Sequence, residues 1–257
     1  MARTRLRMAL IGFFSLCFGQ LLAAGDSPSP GELAAQAEQS MRLGEGEKAL
    51  ELLGRAVEAD PDNPRWFNAR GAVRFRLAMI EPSIEDFDRA IALDPAIEPH
   101  HWQRGISYYY AGEYEKGARQ FELHQTVNPQ DVENAVWHFL CVARWKGLDE
   151  ARARLIPIKG DARVPMAEIH RLFSGKATAE DVLKAASAGN PQPRELRQRL
   201  GYAHLYVALY HEAHGQAAAS LEHIRKSVDH FPASGHYMGD VARVHLRLRS
   251  DHNSPEP

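Results

Sequence analysis

A period of 34 residues constrains the fold of this chain more than any other feature of its sequence. Pro61, Pro95 and Pro129 follow one another at this spacing, and each comes directly after Asp or Asn. Gly71 and Gly105 keep the same register, as does one apolar residue in each unit: Leu53, Phe87 and Phe121. Proline after an amphipathic helix at such a period predicts helical hairpins. Since one hairpin cannot bury its apolar face alone, several hairpins must stack.

The repeat resembles that of the tetratricopeptide-repeat (TPR) superfamily over roughly residues 30–156. Three units are clear and a fourth is degenerate: 30–63, 64–97, 98–131 and 132–156. In the fourth unit Phe139 stands where glycine is expected and Pro157 comes early. Its second helix, 148–156, is therefore expected to be short. The resemblance implies an all-α solenoid of helical hairpins with a concave groove.

The 34-residue period is lost after residue 156. Residues 157–193 are predicted to form an irregular helical insert with two short helices, at 165–173 and 179–188, the second capped by Thr178. Residues 194–249 are predicted to form a divergent TPR-like C-terminal hairpin with a capping helix. The three helices of this region are expected at 194–214, 216–230 and 234–248. A polar tail, 250–257, follows.

Three arginines precede an uncharged run that extends from Met8 to Ala24. This pattern predicts a secretory signal peptide over residues 1–24, with cleavage after Ala24 or Gly25. Export to the periplasm and cell envelope, or out of the cell, is expected, and 25–156 is then the TPR region. Two alternatives stay open, and only they would place the chain on a membrane. One is an uncleaved anchor, since a spanning helix needs roughly 17–25 residues. The other is a lipid on Cys17, although Leu16 replaces the small residue that precedes such a cysteine in lipoprotein signals.

Composition argues against two classes of protein. The chain has 31 Lys and Arg residues against 33 Asp and Glu, whereas a nucleic-acid-binding protein needs a basic excess. Loss of the three arginines with the signal peptide changes the net charge from −2 to −5. Only Cys141 then remains, so a fold held by disulfides is not expected. The apolar neighbours of Cys141 predict a packed thiol.

The order of these segments resembles that of NlpI-type TPR proteins of the bacterial envelope. The likeness is best over residues 101–156, through Trp102-Gln103-Arg104-Gly105-Ile106 and Tyr109-Tyr110-Ala111-Gly112. This resemblance implies a non-catalytic adaptor for envelope proteases and cell-wall enzymes. The sequence has no Gly-rich phosphate loop, no GxSxG and no CxxC motif, so enzyme activity is not predicted.

In TPR proteins the second, fifth, ninth, twelfth and thirteenth residues of each first helix face the concave groove. Transferred to this register, the pattern predicts a partner-binding groove lined by Arg42, Asn68, Phe75, Arg76, Trp102, Tyr109, Tyr110 and Arg144. Arginine binds carboxylates bidentately and aromatic rings supply contact area. A protein or peptide partner with acidic groups is therefore expected. The alternative is that the arginines are solvated and the aromatic residues, Tyr108 above all, belong to the core.

Eight of the thirteen histidines lie between His204 and His252. The stretch His211-Glu212-Ala213-His214 is one residue short of the zinc-binding HExxH spacing. A metal or small molecule bound by the C-terminal hairpin is therefore the alternative function, although no cofactor or physiological metal is predicted. That hairpin is also a candidate surface for a homodimer. A second polar set is predicted to be structural, and it comprises Trp137, His138, His124 and Asn134.

Overall fold

The computed structural model describes residues 27–251, and every regular element in that range is helical. The predicted signal peptide and residues 252–257 of the predicted tail lie outside the described residues. The described α-helices are α1 (Pro30–Arg42), α2 (Gly46–Ala59), α3 (Pro64–Arg76), α4 (Ile80–Leu93), α5 (Trp102–Tyr110), α6 (Tyr114–His124), α7 (Val132–Lys146), α8 (Leu148–Ala153), α9 (Met166–Phe173), α10 (Ala179–Ser187), α11 (Pro193–Ala213), α12 (Ala217–His230) and α13 (Tyr237–Asp251). A short 3₁₀ helix, Pro95–His100, joins α4 to α5. None of the helices in this range is long and apolar enough to cross a membrane.

The glycines of the repeat let the two helices of one unit approach closely. A Cβ atom on Gly71 in α3 would lie 2.7 Å from the Phe87 ring of α4. In the next unit, a Cβ atom on Gly105 would lie at the same distance of 2.7 Å from the Phe121 ring. Protein interiors are close-packed, so such a contact cannot form without displacing the ring. Helix packing therefore explains why glycine and an aromatic residue share the 34-residue register.

The turn between the two helices of a unit requires a left-handed backbone conformation. Gly44 (φ +79°) and Gly112 (φ +78°) supply it in the first and third units, whereas Ala78 (φ +60°) stands at the equivalent position of the second. Glycine adopts this conformation freely, while a Cβ atom makes it cost about 1 kcal/mol. The turn of the second unit is therefore strained relative to its neighbours.

Helix α7 is the first helix of the fourth unit, but it packs as a central core helix. Its residues 134–142 are all buried. The following helix, α8, ends at Ala153, three residues before the predicted end. Helices α9 and α11 also pack against α7. In the predicted insert, α9 and α10 lie within one residue of the predicted bounds, and the Thr178 side chain caps α10 by accepting from the Asp181 N–H.

The buried apolar side chains form two clusters. The smaller cluster lies between α1, α2 and α3, around Leu33, Leu53 and Trp66. The larger one is centred on α7 and α11 and extends from Phe75 in α3 to Val241 in α13. After the α11–α12 hairpin, α13 returns to contact α3. This return places the C-terminal helix against the second unit of the repeat.

Candidate partner-binding surface

Helix α13 lies across the concave face of the second and third units. Tyr237 at its start stacks on Phe75 of α3, with ring centroids 5.7 Å apart and planes 13° from parallel. The same ring meets Trp102 of α5 edge-on, with centroids 4.8 Å apart. The C-terminal helix of the chain therefore fills the part of the groove that the repeat predicts to be open.

Charged side chains orient the first half of α13 on this face. Asp240 Oδ2 lies 3.0 Å from Arg76 Nε, and the Asp240 side chain is 11% exposed. Farther along, Arg247 donates from Nη1 to the Leu77 carbonyl oxygen over 3.1 Å. Within residues 27–251, neither Arg76 Nε nor Asp240 Oδ2 has a hydrogen-bond partner, so their contact is an ion pair without hydrogen-bond geometry. The contact of Arg247 is a hydrogen bond, and the two contacts together favour one side of α13 toward α3.

A second set of polar contacts joins α5, α11 and α13. The Tyr109 hydroxyl donates to Glu212 Oε2 over 2.6 Å, and Glu212 also pairs with Arg249 of α13. The Tyr110 hydroxyl and His245 Nδ1 are hydrogen-bonded at 3.2 Å. Burial lowers the pKa of His245 to about 4, so this ring is neutral at pH 7 and depends on hydrogen bonds rather than on charge.

These contacts correct the prediction for the aromatic residues of the groove. Phe75 and Tyr109 are 0% and 1% exposed, so the expectation that they face a partner is wrong. Trp102 and Tyr110 are half-buried, the first against Tyr237 and the second against His245. The alternative interpretation, that aromatic residues at helical spacing belong to the core, is correct for the first two.

The polar members of the predicted groove are separated from one another. Asn68 lines a small cavity of about 250 Å³ between the second and third units. Arg144 lies over the ring of Tyr114, 5.2 Å from its centroid. Only Arg42 and Arg76 line one common cavity. The structure therefore does not assemble the eight predicted residues into a single surface.

The cavity of Arg42 and Arg76, here called the arginine cavity, has a volume of about 440 Å³ and lies between α1, α3 and the start of α13. Arg243 of α13 also lines it. Arg42 pairs with Glu38 at 2.9 Å, and its side chain is 49% exposed. Arg243 pairs with Asp240 at 2.7 Å. Sequence reasoning missed Arg243, because α13 lies outside the 34-residue register.

A second cavity, of about 410 Å³, shares Tyr237 with the first and is here called the aromatic cavity. Its aromatic lining comprises Trp102, Phe121, Trp137, Tyr202 and Tyr237. Asp131 and Glu133 at the start of α7 supply carboxylates, His124 and His236 supply imidazoles, and no Lys or Arg is among the residues that line it. Burial lowers the pKa of His236, which favours its neutral form. The two cavities therefore differ in charge.

Asp131 and Glu133 belong to an ion cluster around Arg163. Arg163 Nη1 lies 2.6 Å from Glu133, and the same guanidinium pairs with Asp131 and Asp161. The Tyr206 hydroxyl donates to Glu133 over 2.6 Å. Burial raises the pKa of Glu133, while Tyr206 and Arg163 favour its ionised form. Three carboxylates thus surround one guanidinium.

Three members of the polar set that the sequence predicts around Trp137 line the aromatic cavity together, namely His124, Asn134 and Trp137, whereas His138 does not line it. His124 Nδ1 contacts the Pro99 carbonyl oxygen at 2.9 Å. His138 Nε2 contacts Glu122 at 3.2 Å. Each imidazole therefore bonds to a group outside the set, so three members share a cavity without hydrogen bonds between these two rings and the rest of the set.

The histidines of the HExxH-like stretch do not converge either. His211 Nδ1 contacts the Gln216 side chain, and His214 packs on the Tyr210 ring with centroids 4.1 Å apart. Glu212 between them contacts Tyr109 instead. Within residues 27–251, no group of three or more His, Cys, Asp or Glu side chains is placed to hold a metal ion.

Cys141 is fully buried in α7. Burial raises the pKa of its thiol. The thiolate is the reactive form of cysteine, so this side chain serves packing, as predicted.

No protein-family model matches the chain. A tetratricopeptide-repeat protein from Parabacteroides merdae is similar in structure, with a TM-score of 0.51, 15% identity, and coverage of 86% of this chain and 84% of that one. MamA from Desulfovibrio magneticus (TM-score 0.49, 13% identity) matches over 79% of this chain and 95% of its own. A thermophilic TPR protein of Thermus thermophilus (TM-score 0.47, 15% identity) matches over 86% and 99%. The first of these likenesses, together with the observed hairpins, shows that the chain has a TPR fold.

Proposed function

We propose that this protein is a non-catalytic scaffold that binds a partner protein or peptide on the part of the concave face that α13 leaves open. The arginine cavity carries the proposal, because three guanidinium groups line it beside only two carboxylates. Guanidinium binds carboxylate in a bidentate geometry, and Met41 and Tyr237 add apolar surface. An acidic side chain on an extended or helical segment of the partner suits this arrangement.

We further infer that the protein is exported and acts in the bacterial cell envelope. The support comes from the sequence: three arginines, an uncharged run and small residues precede the repeat. The resemblance to NlpI-type adaptors agrees with such a location. N-terminal sequencing of the protein from the envelope fraction is expected to begin at Gly25 or Asp26. A mature protein that still carries Met1 would contradict cleavage.

Site-specific crosslinking tests the scaffold proposal. A photo-reactive amino acid in place of Arg42 is expected to capture a partner protein in intact cells, because this side chain is exposed at the arginine cavity. The same amino acid in place of Arg55 is the matched control, since Arg55 is exposed on α2 and lines none of the cavities described above. Adducts of equal yield and mass at both positions, or none at Arg42, would reject binding at this cavity.

A charge reversal completes this test. Arg42→Glu is expected to reduce partner capture by about tenfold, since one lost charge-assisted bidentate contact corresponds to at least 1.4 kcal/mol. Arg55→Glu is expected to leave capture unchanged. An adduct at twice the mass of the chain would identify the partner as a second copy.

A further inference from the structure

We propose that the aromatic cavity binds a cation, namely the guanidinium or ammonium group of a basic side chain in the partner. This inference rests on the scaffold function proposed above and concerns a different part of the same face. The arginine cavity favours an acidic group, whereas the aromatic cavity has the opposite character. Three observations support the inference: aromatic rings in the lining, more carboxyl than guanidinium groups at its edge, and a buried oxygen without a hydrogen-bond partner among the described residues.

The rings form walls that suit a cation. Trp102 and Tyr237 both line the cavity and meet at 85° with centroids 4.8 Å apart, while one face of Tyr237 stacks on Phe75. Trp137 and Tyr202 line it as well. The face of an aromatic ring carries negative charge density and attracts a cation within about 6 Å of its centroid. Tryptophan is the strongest of these rings, and two of the four tryptophans of the chain lie here.

The charge at the edge of the cavity is negative. Asp131 and Glu133 both line it, and with Asp161 they share a single guanidinium, that of Arg163. One guanidinium therefore faces three carboxyl groups, one of which, Glu133, has its pKa raised by burial. The cavity lies in a partly enclosed site of reduced dielectric, where an uncompensated charge acts more strongly than in water. A cationic group that enters it would offset this excess.

Asn134 supplies an acceptor that lacks a donor. Its Nδ2 group donates to the Phe121 carbonyl oxygen at 3.1 Å and to Gln125 Oε1 at 2.9 Å, which fixes the orientation of the amide. The Oδ1 atom of this 3% exposed residue is buried and has no hydrogen-bond partner in the described part of the chain. Two other groups of the lining, the Trp137 Nε1–H donor and the Tyr237 hydroxyl, lack a partner there as well. Buried acceptors are normally satisfied. Asn134 lines the aromatic cavity, and an N–H donor of a basic side chain would satisfy it there.

A purely structural role for the carboxylates makes a different prediction. In that case the only role of the three carboxylates is to pair with Arg163 and so to stabilise its segment against the start of α7. Asp161 separates the two interpretations, because it pairs with Arg163 at 2.6 Å but does not line the cavity. Loss of its charge disturbs the same ion cluster while leaving the cavity wall intact.

The probe is an acetylated and amidated pentapeptide with a central arginine between glycines. Its control carries citrulline, which has the same shape without the charge. Binding is followed through the indole N–H signals of the full-length protein in NMR titrations. The signals of Trp102 and Trp137 are expected to shift with a Kd on the order of 1 mM. Those of Trp66 and Trp145, outside the cavity, are expected to stay in place.

Two conservative variants test the charge. Asp131→Asn is expected to weaken binding of the arginine peptide by about tenfold, because asparagine still caps α7 but loses the carboxylate. Asp161→Asn is expected to weaken it by about twofold or less. Circular dichroism at each titration temperature verifies that both variants are folded, and Trp102→Leu, which keeps apolar volume but removes the ring, provides a second variant with an expected loss of about fivefold.

Equal shifts with the arginine and citrulline peptides would overturn the proposal, as would equal losses in Asp131→Asn and Asp161→Asn. Absence of any shift at Trp102 and Trp137 up to several times the expected Kd of about 1 mM would do the same. These outcomes leave the scaffold function intact when crosslinking at Arg42 still captures the partner. Loss of crosslinking with retained peptide binding would instead reject the arginine cavity and keep the cation site.

Discussion

The concave face over the first unit and the concave face over the next two units carry equivalent positions of one repeat, yet they differ in accessibility. Met41, Phe75 and Tyr109 occupy the same register position. Met41 is half-exposed beside the arginine cavity, whereas Phe75 and Tyr109 are buried under the C-terminal part of the chain. The repeat fixes the direction in which a side chain points. Whether that side chain meets solvent depends on α13, which covers two units and leaves the first one open.

Removal of α13 from the covered units is expected to have the largest effect. Val241→Asp places a carboxylate at a fully buried position of α13, and we expect it to lower the free energy of unfolding by about 3 kcal/mol or more. Hydrogen exchange should accelerate in α3 and α5 more than in α1. The concave face over the second and third units would then be as accessible to solvent as the face over the first unit. Val127→Asp makes the same change at a residue that is 40% exposed, and it is expected to be nearly neutral. Similar destabilisation by both substitutions would contradict the role given to α13.

Low pH is expected to destabilise the packing of α13 against α5 and α11. The pKa of His245 is lowered by burial from 6.5 to about 4, so the unfolded chain takes up a proton before the folded chain does. The contribution of neutral His245 to stability is complete above about pH 6.5 and is lost as the pH falls toward 4, with a magnitude on the order of 3 kcal/mol. Tyr110, Glu212 and Arg249 are the polar groups around this ring.

Hydrogen exchange of the α13 amides between pH 7 and pH 4, corrected for the intrinsic exchange rate at each pH, measures this effect. His245→Gln should flatten the pH dependence, because it removes proton uptake but retains a hydrogen-bonding side chain for Tyr110. His204→Gln is the control variant: burial also lowers the pKa of His204 to about 4, but this residue lies on α11 against His223. If His204→Gln flattened the pH dependence of exchange in α13 as much as His245→Gln did, the assignment to His245 would fail.

The ion pair between Arg76 of α3 and Asp240 of α13 is expected to contribute less to the free energy of unfolding than the packing of α13 does. Arg76→Glu would set two carboxylates against each other at Asp240, whose side chain is 11% exposed. A loss of about 1–3 kcal/mol in the free energy of unfolding is expected. Arg42→Glu occupies the same register position in the open unit, and its surface pair with Glu38 is expected to contribute less than about 0.5 kcal/mol. Chemical denaturation measures the loss of unfolding free energy in both variants. Equal losses would show that contact with α13 does not make the arginine of the second unit more important for stability than that of the first.

The smallest expected effect concerns the turns of the units. Ala78→Gly should raise the free energy of unfolding by about 0.5–1 kcal/mol, since it relieves a left-handed alanine. Gly112→Ala, at the equivalent turn of the third unit, should lower it by about 1 kcal/mol. Thermal melts of the two variants would shift in opposite directions. Shifts of the same sign would mean that the left-handed conformation of the turn does not explain the difference in stability between the second and third units.

Local interactions explain why much of the fold could be predicted from the sequence. The period of 34 residues reflects contacts within a hairpin, such as Gly71 with Phe87, which lie 16 residues apart. Turn residues and caps act over even shorter distances, as Thr178 does at the start of α10. The two helices of the insert were therefore predictable within one residue at either end, although the insert lacks the repeat.

The candidate sites were less predictable because their residues come from distant parts of the chain. Arg243 joins Arg42 and Arg76 only after α13 returns to α3. Arg163 follows Asp131 by 32 residues and lies in an irregular segment without a register. Glu212, which suggested a metal site beside two histidines, instead bonds Tyr109, a residue 103 positions earlier.

The sequence by itself determined that this chain forms stacked helical hairpins, and it located most of the helix ends that it predicted within one residue, with ends of α8 and α13 differing by three. Those properties follow from hydrogen bonds and packing between residues close in the chain, and the residue pattern records them directly. Only the tertiary structure decided that α13 covers the second and third units, and that an arginine cavity and an aromatic cavity of different charge lie beside its first residues. Apolar burial drives the packing of α13 on these units, and it is not directional. No periodic pattern in the sequence therefore predicts the surface on which this helix packs.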